Sequence, residues 1–442
     1  MSAAGGGPVS SPLPDIAAAN RRGEAVALTS VCSADRIVLD TALRRAAAHE
    51  AIVCIESTCN QVNQDGGYTG MTAARFRDEV ASLAAAAGLP SGHLILGGDH
   101  LGPYPWRERP AAEAMAAARE LVRSCVAAGY SKLHLDTSMR CADDGGRKGE
   151  PLPQETATAR AADLCRAAED AHSALTDGAP APAYVVGTEV PAPGGETSAS
   201  GRPAVTPARD AERVLDMTRE AFAAARVDAA WERVVAIVVQ PGVEFGDQTV
   251  IDYDRDAAAG LGDALRARPG IVFEAHSTDY QRPQALRALV EDHFGILKVG
   301  PWLTFALREA VFALEAIEGE LLGSRRAPLS GVRAALEAAM LAQPGYWRPY
   351  YAGDDESTRL ARAFSYSDRC RYYWPQPPVR RAVDTLLGNL RSRPIPPALL
   401  SQYLPGEYEQ VRDGRLGTDP AALMRAHIER VLDVYGAACG ES

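Results

Sequence analysis

Lysine is nearly absent. Among 442 residues it occurs only at Lys132, Lys148 and Lys298, and arginine carries the rest of the positive charge. The formal charge is −11, which excludes a general attraction to nucleic acid or to an anionic membrane surface. No run of about 18 apolar residues occurs, so no membrane-spanning helix is expected. The stretch MSAAGGGPVSSPLP lacks a positive region followed by an apolar one, so it does not read as a secretory leader. Eight cysteines are scattered without a C-x-x-C pair. That argues against a structural zinc knuckle and for small buried apolar side chains in a reduced, cytoplasmic protein. No G-x-x-x-x-G-K-[ST] motif is present, which counts against a P-loop kinase.

What is present is a regular alternation. Apolar strand-like runs lie at 26–31, 51–58, 94–100, 132–137, 183–190, 233–240, 271–277 and 295–299, each followed by a helical pattern. Ser33 reads as the N-cap of the first of these helices. Eight consecutive units predict a closed (β/α)₈ TIM barrel over 25–323. An open doubly wound sheet is the alternative, but no Gly-rich dinucleotide fingerprint follows the first strand. Residues 1–24 read as a flexible N-terminal tail, and 324–442 as an α-helical C-terminal extension packed on the barrel. Gly-rich loops at 64–71 and 191–196 read as candidate lids.

Active sites of such barrels lie at the C-terminal ends of the strands. The most informative stretch is LILGGDHLGP, 94–103, where Asp99 and His100 sit side by side at a strand tip. A satisfied, hydrogen-bonded strand end is the bland explanation. Other tips carry Glu56, His134 with Asp136, Glu189, Gln240, Glu274 with His276, and Lys298. Unpaired buried charge is costly, so these groups must neutralise one another or bind something. Alternate strands three, five and seven offer His100, Glu189 and His276, a candidate site for a divalent metal: zinc first, with manganese, cobalt or magnesium as alternatives. Asp99, Glu56 and Asp136 are then acid/base candidates. Gln240, Lys298 and His134 are candidates to hold substrate, although a buried core role also suits His134. Lys298 is open to two readings, an ion pair or a Schiff-base lysine. Ser367, Arg369 and Arg371 form a candidate phosphate clamp, with surface salt bridges as the competing reading.

Taken together, the motifs IESTCNQVNQDGGYTGMT (55–72), GGDHLGP (97–103), LHLDTSM (133–139), GTEVPAPGGE (187–196), VVQPGVEFG (238–246), EAHSTDYQ (274–281), LKVGPWLTFALREA (297–310) and SDRCRYYW (367–374) resemble the class II D-tagatose-bisphosphate aldolase non-catalytic subunit family. The resemblance covers about 25–375. It implies a (β/α)₈ barrel in galactitol, N-acetylgalactosamine and tagatose catabolism, and a ketose or ketose phosphate as ligand. It further implies either of two roles: a partner that stabilises a catalytic class II aldolase subunit, or a ketose-phosphate 4-epimerase. Some members are labelled tagatose-6-phosphate kinase, which the missing phosphate-transfer motif does not support. Asp99–His100 also resembles the aspartate–histidine step of catalytic class II aldolases, implying an acid/base aspartate and a zinc-binding histidine. Glu189 stands where those enzymes have a ligand histidine. A homo-oligomer is expected.

Overall fold

In the computed structural model, residues 11–146, 152–175, 180–187, 201–323 and 328–441 are described. Eight parallel strands close into a barrel: β1 (Leu28–Cys32), β2 (Val53–Thr58), β3 (Leu94–Leu101), β4 (Lys132–Leu135), β5 (Ala183–Val186), β6 (Val234–Val238), β7 (Val272–Ala275) and β8 (Phe294–Val299). Each strand hydrogen-bonds to its neighbours in sequence, and β8 closes on β1 through Ser30 opposite Lys298. The protein is a (β/α)₈ TIM barrel with a helical C-terminal extension. No helix among the described residues is long and apolar enough to cross a membrane, and the eight cysteines are free thiols.

The barrel interior is stratified. Leu28, Cys54, Ile95, Val185, Val272 and Ile296 fill its N-terminal end. Two residues further along the strands, the inward positions become Ser30, Glu56, Glu274 and Lys298, all buried. The period of two along each strand therefore carries the interior from an apolar floor to a charged layer. Leu13 and Ala17 pack into the floor from a helix, Leu13–Arg21. From Leu13 onward the entry segment is thus an ordered plug, because these side chains cover apolar surface that the barrel would otherwise expose.

Local details depart from the sequence reading in two places. Asp35, not Ser33, caps the helix Arg36–Ala48, accepting from the Ile37 and Val38 N–H groups; Ser33 instead accepts from the Asp35 N–H. After β6 the expected helix is reduced to Arg255–Ala258 and a 3₁₀ segment, preceded by a hairpin pairing Glu244–Phe245 with Val250–Ile251. Gly260, Gly262 and Pro269 weaken helix propagation there.

The extension is knitted to the barrel. Its last helix, Pro420–Cys439, packs on the helices Arg36–Ala48, Pro283–Glu291 and Pro301–Leu322. Tyr435 Oη donates to the Thr278 carbonyl at 2.8 Å, just beyond β7. On the same helix, His427 bridges Glu407 at 3.0 Å and Glu309 at 3.3 Å. Burial alone would lower this imidazole; the two carboxylates outweigh it and push it up to about 9. The folded value lies above the ordinary 6.5, so the bridge stabilises fully below about pH 6.5 and is lost as pH rises through about 9. His427→Gln is expected to cost about 1–3 kcal/mol at pH 6 and markedly less at pH 9.5, read by chemical denaturation. An equal cost at both pH values would refute the charged bridge.

Candidate active site

The cavity at the C-terminal mouth of the barrel is lined from several strands and from the extension. Cys32, Asp99, His100, His276, Asp279 and Lys298 line it from the barrel, and Arg371 with Tyr372 line it from the extension. The loop after β2 adds Asn60, Gln61 and Tyr68.

Asp99 and His100 both belong to this site although they are sequence neighbours. Strict alternation would send them to opposite faces. The register between β3 and β4 shifts between Gly98 and Leu101, and His100 takes a φ of 48°. This bulge re-aims the strand tip and delivers both side chains inward. Glycines make room around it. A Cβ on Gly97 would meet the Glu56 carboxylate at 2.6 Å, and one on Gly102 would lie 1.7 Å from the Asp136 carbonyl oxygen.

Below the mouth lies a closed ion network. Lys132 has no solvent exposure; its ammonium lies 2.7 Å from Glu56 and 2.6 Å from Glu274. Lys298 pairs with the other Glu56 oxygen and lies 3.1 Å from Asp99. Ser30 also donates to Glu56 at 2.5 Å. Burial would lower both lysines, but the carboxylates against them raise them, so both stay charged. A Schiff base needs a neutral amine, so the ion-pair reading of Lys298 is the one its surroundings favour.

Above the network sit three imidazoles. The rings of His100, His134 and His276 form a triangle with centroids 4.9–5.3 Å apart. Each has a carboxylate on one nitrogen. His100 Nδ1 lies 2.7 Å from Asp136, His134 Nδ1 2.9 Å from Asp99, and His276 Nε2 2.9 Å from Glu274. Burial would raise these carboxyls. For Asp99, His100 and Lys298 foremost hold it well below the usual range; for Glu274, Lys132 does so; for Asp136, the His100 ring does. An ionised carboxylate only accepts, so each bound ring nitrogen carries a proton and the opposite nitrogen is the one placed to serve as a ligand; for His100, Asp99 and Asp136 outweigh burial and raise the ring. The 3.3 Å approach of the His100 N–H to His134 Nδ1 is then a contact rather than a second bond. Burial drives His276 down to about 4, so it is neutral at pH 7. Among the described residues, His134 Nε2 is buried with no hydrogen-bond partner.

One ligand-type atom from each of Asp99, His100, His134 and His276 lies within 4.8 Å of the others. Counting carboxylates and ammoniums alone among the described residues, Glu56, Asp99, Asp136 and Glu274 outnumber Lys132 and Lys298 by two charges. An orphaned imidazole nitrogen, carboxylate-backed rings and a surplus of two negative charges fit a divalent cation.

The residues singled out from sequence separate accordingly. Asp99, His100, His276 and Lys298 converge at the mouth, and His134 joins their cluster of ligand-type atoms. Glu56 and Asp136 lie behind the first layer, neutralising Lys132 and Lys298 and orienting His100. Glu189 and the candidate lid at 191–196 lie outside the described residues. Gln240 is not on the cavity wall; its Oε1 accepts from the Gly242 and Val243 N–H groups. Of the proposed phosphate clamp only Arg371 lines the cavity. Ser367 is buried against Ser365 at 2.9 Å, and the Arg369 guanidinium lies 3.2 Å over the Tyr350 ring. A 3₁₀ turn, Arg369–Tyr372, sends its arginines to different sides. Lys132 and Asp279 were not anticipated. Lys132 shares the period-two face of His134 and Asp136, a signal present in KLHLD; Asp279 lies beyond its strand and carries no comparable signal.

The model of the D-tagatose-1,6-bisphosphate aldolase subunit GatZ/KbaZ-like family matches residues 13–440. The chain belongs to this family. A crystal structure described as a probable tagatose 6 phosphate kinase from Sinorhizobium meliloti 1021 is 46% identical, with a TM-score of 0.84 over 93% of this chain and 100% of that one. A fructose-bisphosphate aldolase from Campylobacter jejuni superposes at a TM-score of 0.44 and 14% identity over 87% of this chain and 94% of that one, too distant to bear on chemistry. In this GatZ/KbaZ-like chain, Gly102→Ala is expected to displace the Asp136 backbone and cost about 2 kcal/mol or more. Unfolding at the wild-type midpoint would contradict the close approach.

Proposed function

We propose that this GatZ/KbaZ-like protein is a divalent-metal-dependent ketose-phosphate 4-epimerase, interconverting fructose- and tagatose-type sugars by retro-aldol chemistry. The observation that carries the reading is the triangle of carboxylate-backed imidazoles beside an ionised Asp99 in an accessible cavity. His100, His134 and His276 would hold the cation, and three imidazoles favour zinc over harder ions. When bound, such an ion polarises substrate oxygens and stabilises an enediolate. Asp99, in contact with the cavity and held ionised, takes the proton from the C4 hydroxyl as the C3–C4 bond breaks. Lys298 donates to a substrate oxygen while remaining paired with Glu56. Arg371, lining the cavity from the extension, offers a guanidinium to an anionic end of the sugar such as a phosphate.

A second reading follows from the subunit named in the family description: a partner that stabilises a catalytic class II tagatose-bisphosphate aldolase. Exposed Leu360 and Phe364 on the extension are surface such a partner could cover.

The purified protein is expected to contain a stoichiometric divalent ion and to interconvert fructose 6-phosphate and tagatose 6-phosphate, with loss on chelation and recovery on adding zinc. His276→Ala is expected to lose both metal and turnover; full metal content in that variant would break the ligand assignment. Borohydride is expected to trap no sugar on Lys298. No turnover alone, together with a longer-lived co-expressed aldolase, would favour the second reading.

A further inference from the structure

Asp279 is the second carboxylate on the cavity wall. It is 3% exposed, and it lines the same space as Asp99, His276 and Lys298. Its Oδ1 accepts from the Gly300 N–H at 3.0 Å and the Trp302 N–H at 2.8 Å, at the start of the helix Pro301–Leu322. Both bonds fall on one oxygen, so neither engages Oδ2.

The segment that carries Asp279 is held on both sides. Ser277 and Tyr280 flank it at φ 54° and 64°, conformations that non-glycine residues adopt only when their surroundings enforce them. Thr278 Oγ1 donates to the Lys298 carbonyl, and Tyr435 Oη donates to the Thr278 carbonyl. A helix cap alone needs neither this burial nor a place on the cavity wall; Ser, Thr or Asn on an exposed turn would serve.

Epimers at C4 differ in the direction of one hydroxyl. A single base fixed on one wall reaches that hydroxyl in one epimer and faces away from it in the other. Resting on the epimerase reading above, we propose that Asp279 is the second acid/base group, serving the C4 oxygen of the epimer that Asp99 does not reach. In one direction Asp99 takes the C4 hydroxyl proton, and the C3–C4 electron pair passes into an enediolate over C2 and C3. The C4 aldehyde turns its other face. C3 attacks that face, the C3–C4 bond re-forms, and the new C4 alkoxide takes a proton from Asp279. One proton has moved from Asp279 to Asp99, and exchange with water at the open mouth resets both.

The surroundings suit the two groups to different tasks. Asp99 lies 3.1 Å from the Lys298 ammonium. For Asp279, burial outweighs the Trp302 and Gly300 N–H groups and the Arg371 guanidinium, so its carboxyl is pushed up to about 6. Tyr435 is the neighbouring phenol on the packed extension helix. Near neutral pH such a carboxyl both gives and takes a proton.

The test uses Asp279→Asn in the full-length, metal-loaded protein, since Asn retains Oδ1 as the cap acceptor. Fructose 6-phosphate and tagatose 6-phosphate are supplied separately, and the released aldehyde fragment is reduced by a coupled dehydrogenase. Epimerisation is expected to fall about 10²-fold in both directions. Fragment release is expected to persist from one ketose and fall with epimerisation from the other, with Asp99→Asn showing the opposite preference. Metal content and melting temperature are expected to match wild type; Asp279→Ser, which keeps a capping oxygen, gives the same split if Asn does not. Wild-type epimerisation in both variants, or equal loss of fragment release from both sugars, would overturn the proposal. A wild-type protein that converts neither sugar removes the epimerase reading itself and this proposal with it.

Discussion

A lysine ammonium sealed from water can exist only against negative charge, and Lys132 meets that condition by lying between Glu56 and Glu274. Breaking one partner of such a buried pair costs about 3–5 kcal/mol, because the remaining charge has no solvent to turn to. The rest of the mouth hangs from this pairing. Glu274 also fixes the tautomer of His276. Glu56 shares Lys298 with Asp99, and Asp99 fixes His134. Among the described residues, the imidazoles are therefore set by carboxylates of the barrel strands.

Much of this was legible in the sequence, and for a simple reason. Strand periodicity reports burial on both faces, and eight such runs leave few closed arrangements. The polar residues at the run ends were conspicuous because an apolar context makes an acid or imidazole costly. Asp99, His100, His276 and Lys298 were visible on that ground and do meet. What the periodicity could not supply was the bulge at Asp99–His100. A two-fold repeat predicts that neighbours diverge; the register shift beside Gly98 brings them together.

The other differences have the same character. His134 looked like a core histidine because its strand is short and apolar, yet its buried Nε2 finds no partner among the described residues. Gln240 looked like a substrate contact because it ends a strand, but a turn two residues later uses its carbonyl oxygen first. Ser367, Arg369 and Arg371 looked like one clamp because they alternate. A 3₁₀ turn does not preserve a two-fold alternation, so one arginine reaches the cavity and the other stacks on Tyr350. Asp279 was hidden because it lies past the last strand residue, where no repeat governs direction.

Arg371 and Tyr372 complete the cavity wall from beyond the eighth strand–helix unit. On the epimerase reading, bond-making machinery and sugar selection occupy separate stretches of chain: the former on the repeated scaffold, the latter partly on an appended one. Exchanging residues 367–373 between homologous barrels would then change which sugar is accepted while leaving the imidazole triangle untouched. Under that reading, substrate range can diverge without revisiting the buried charges beneath.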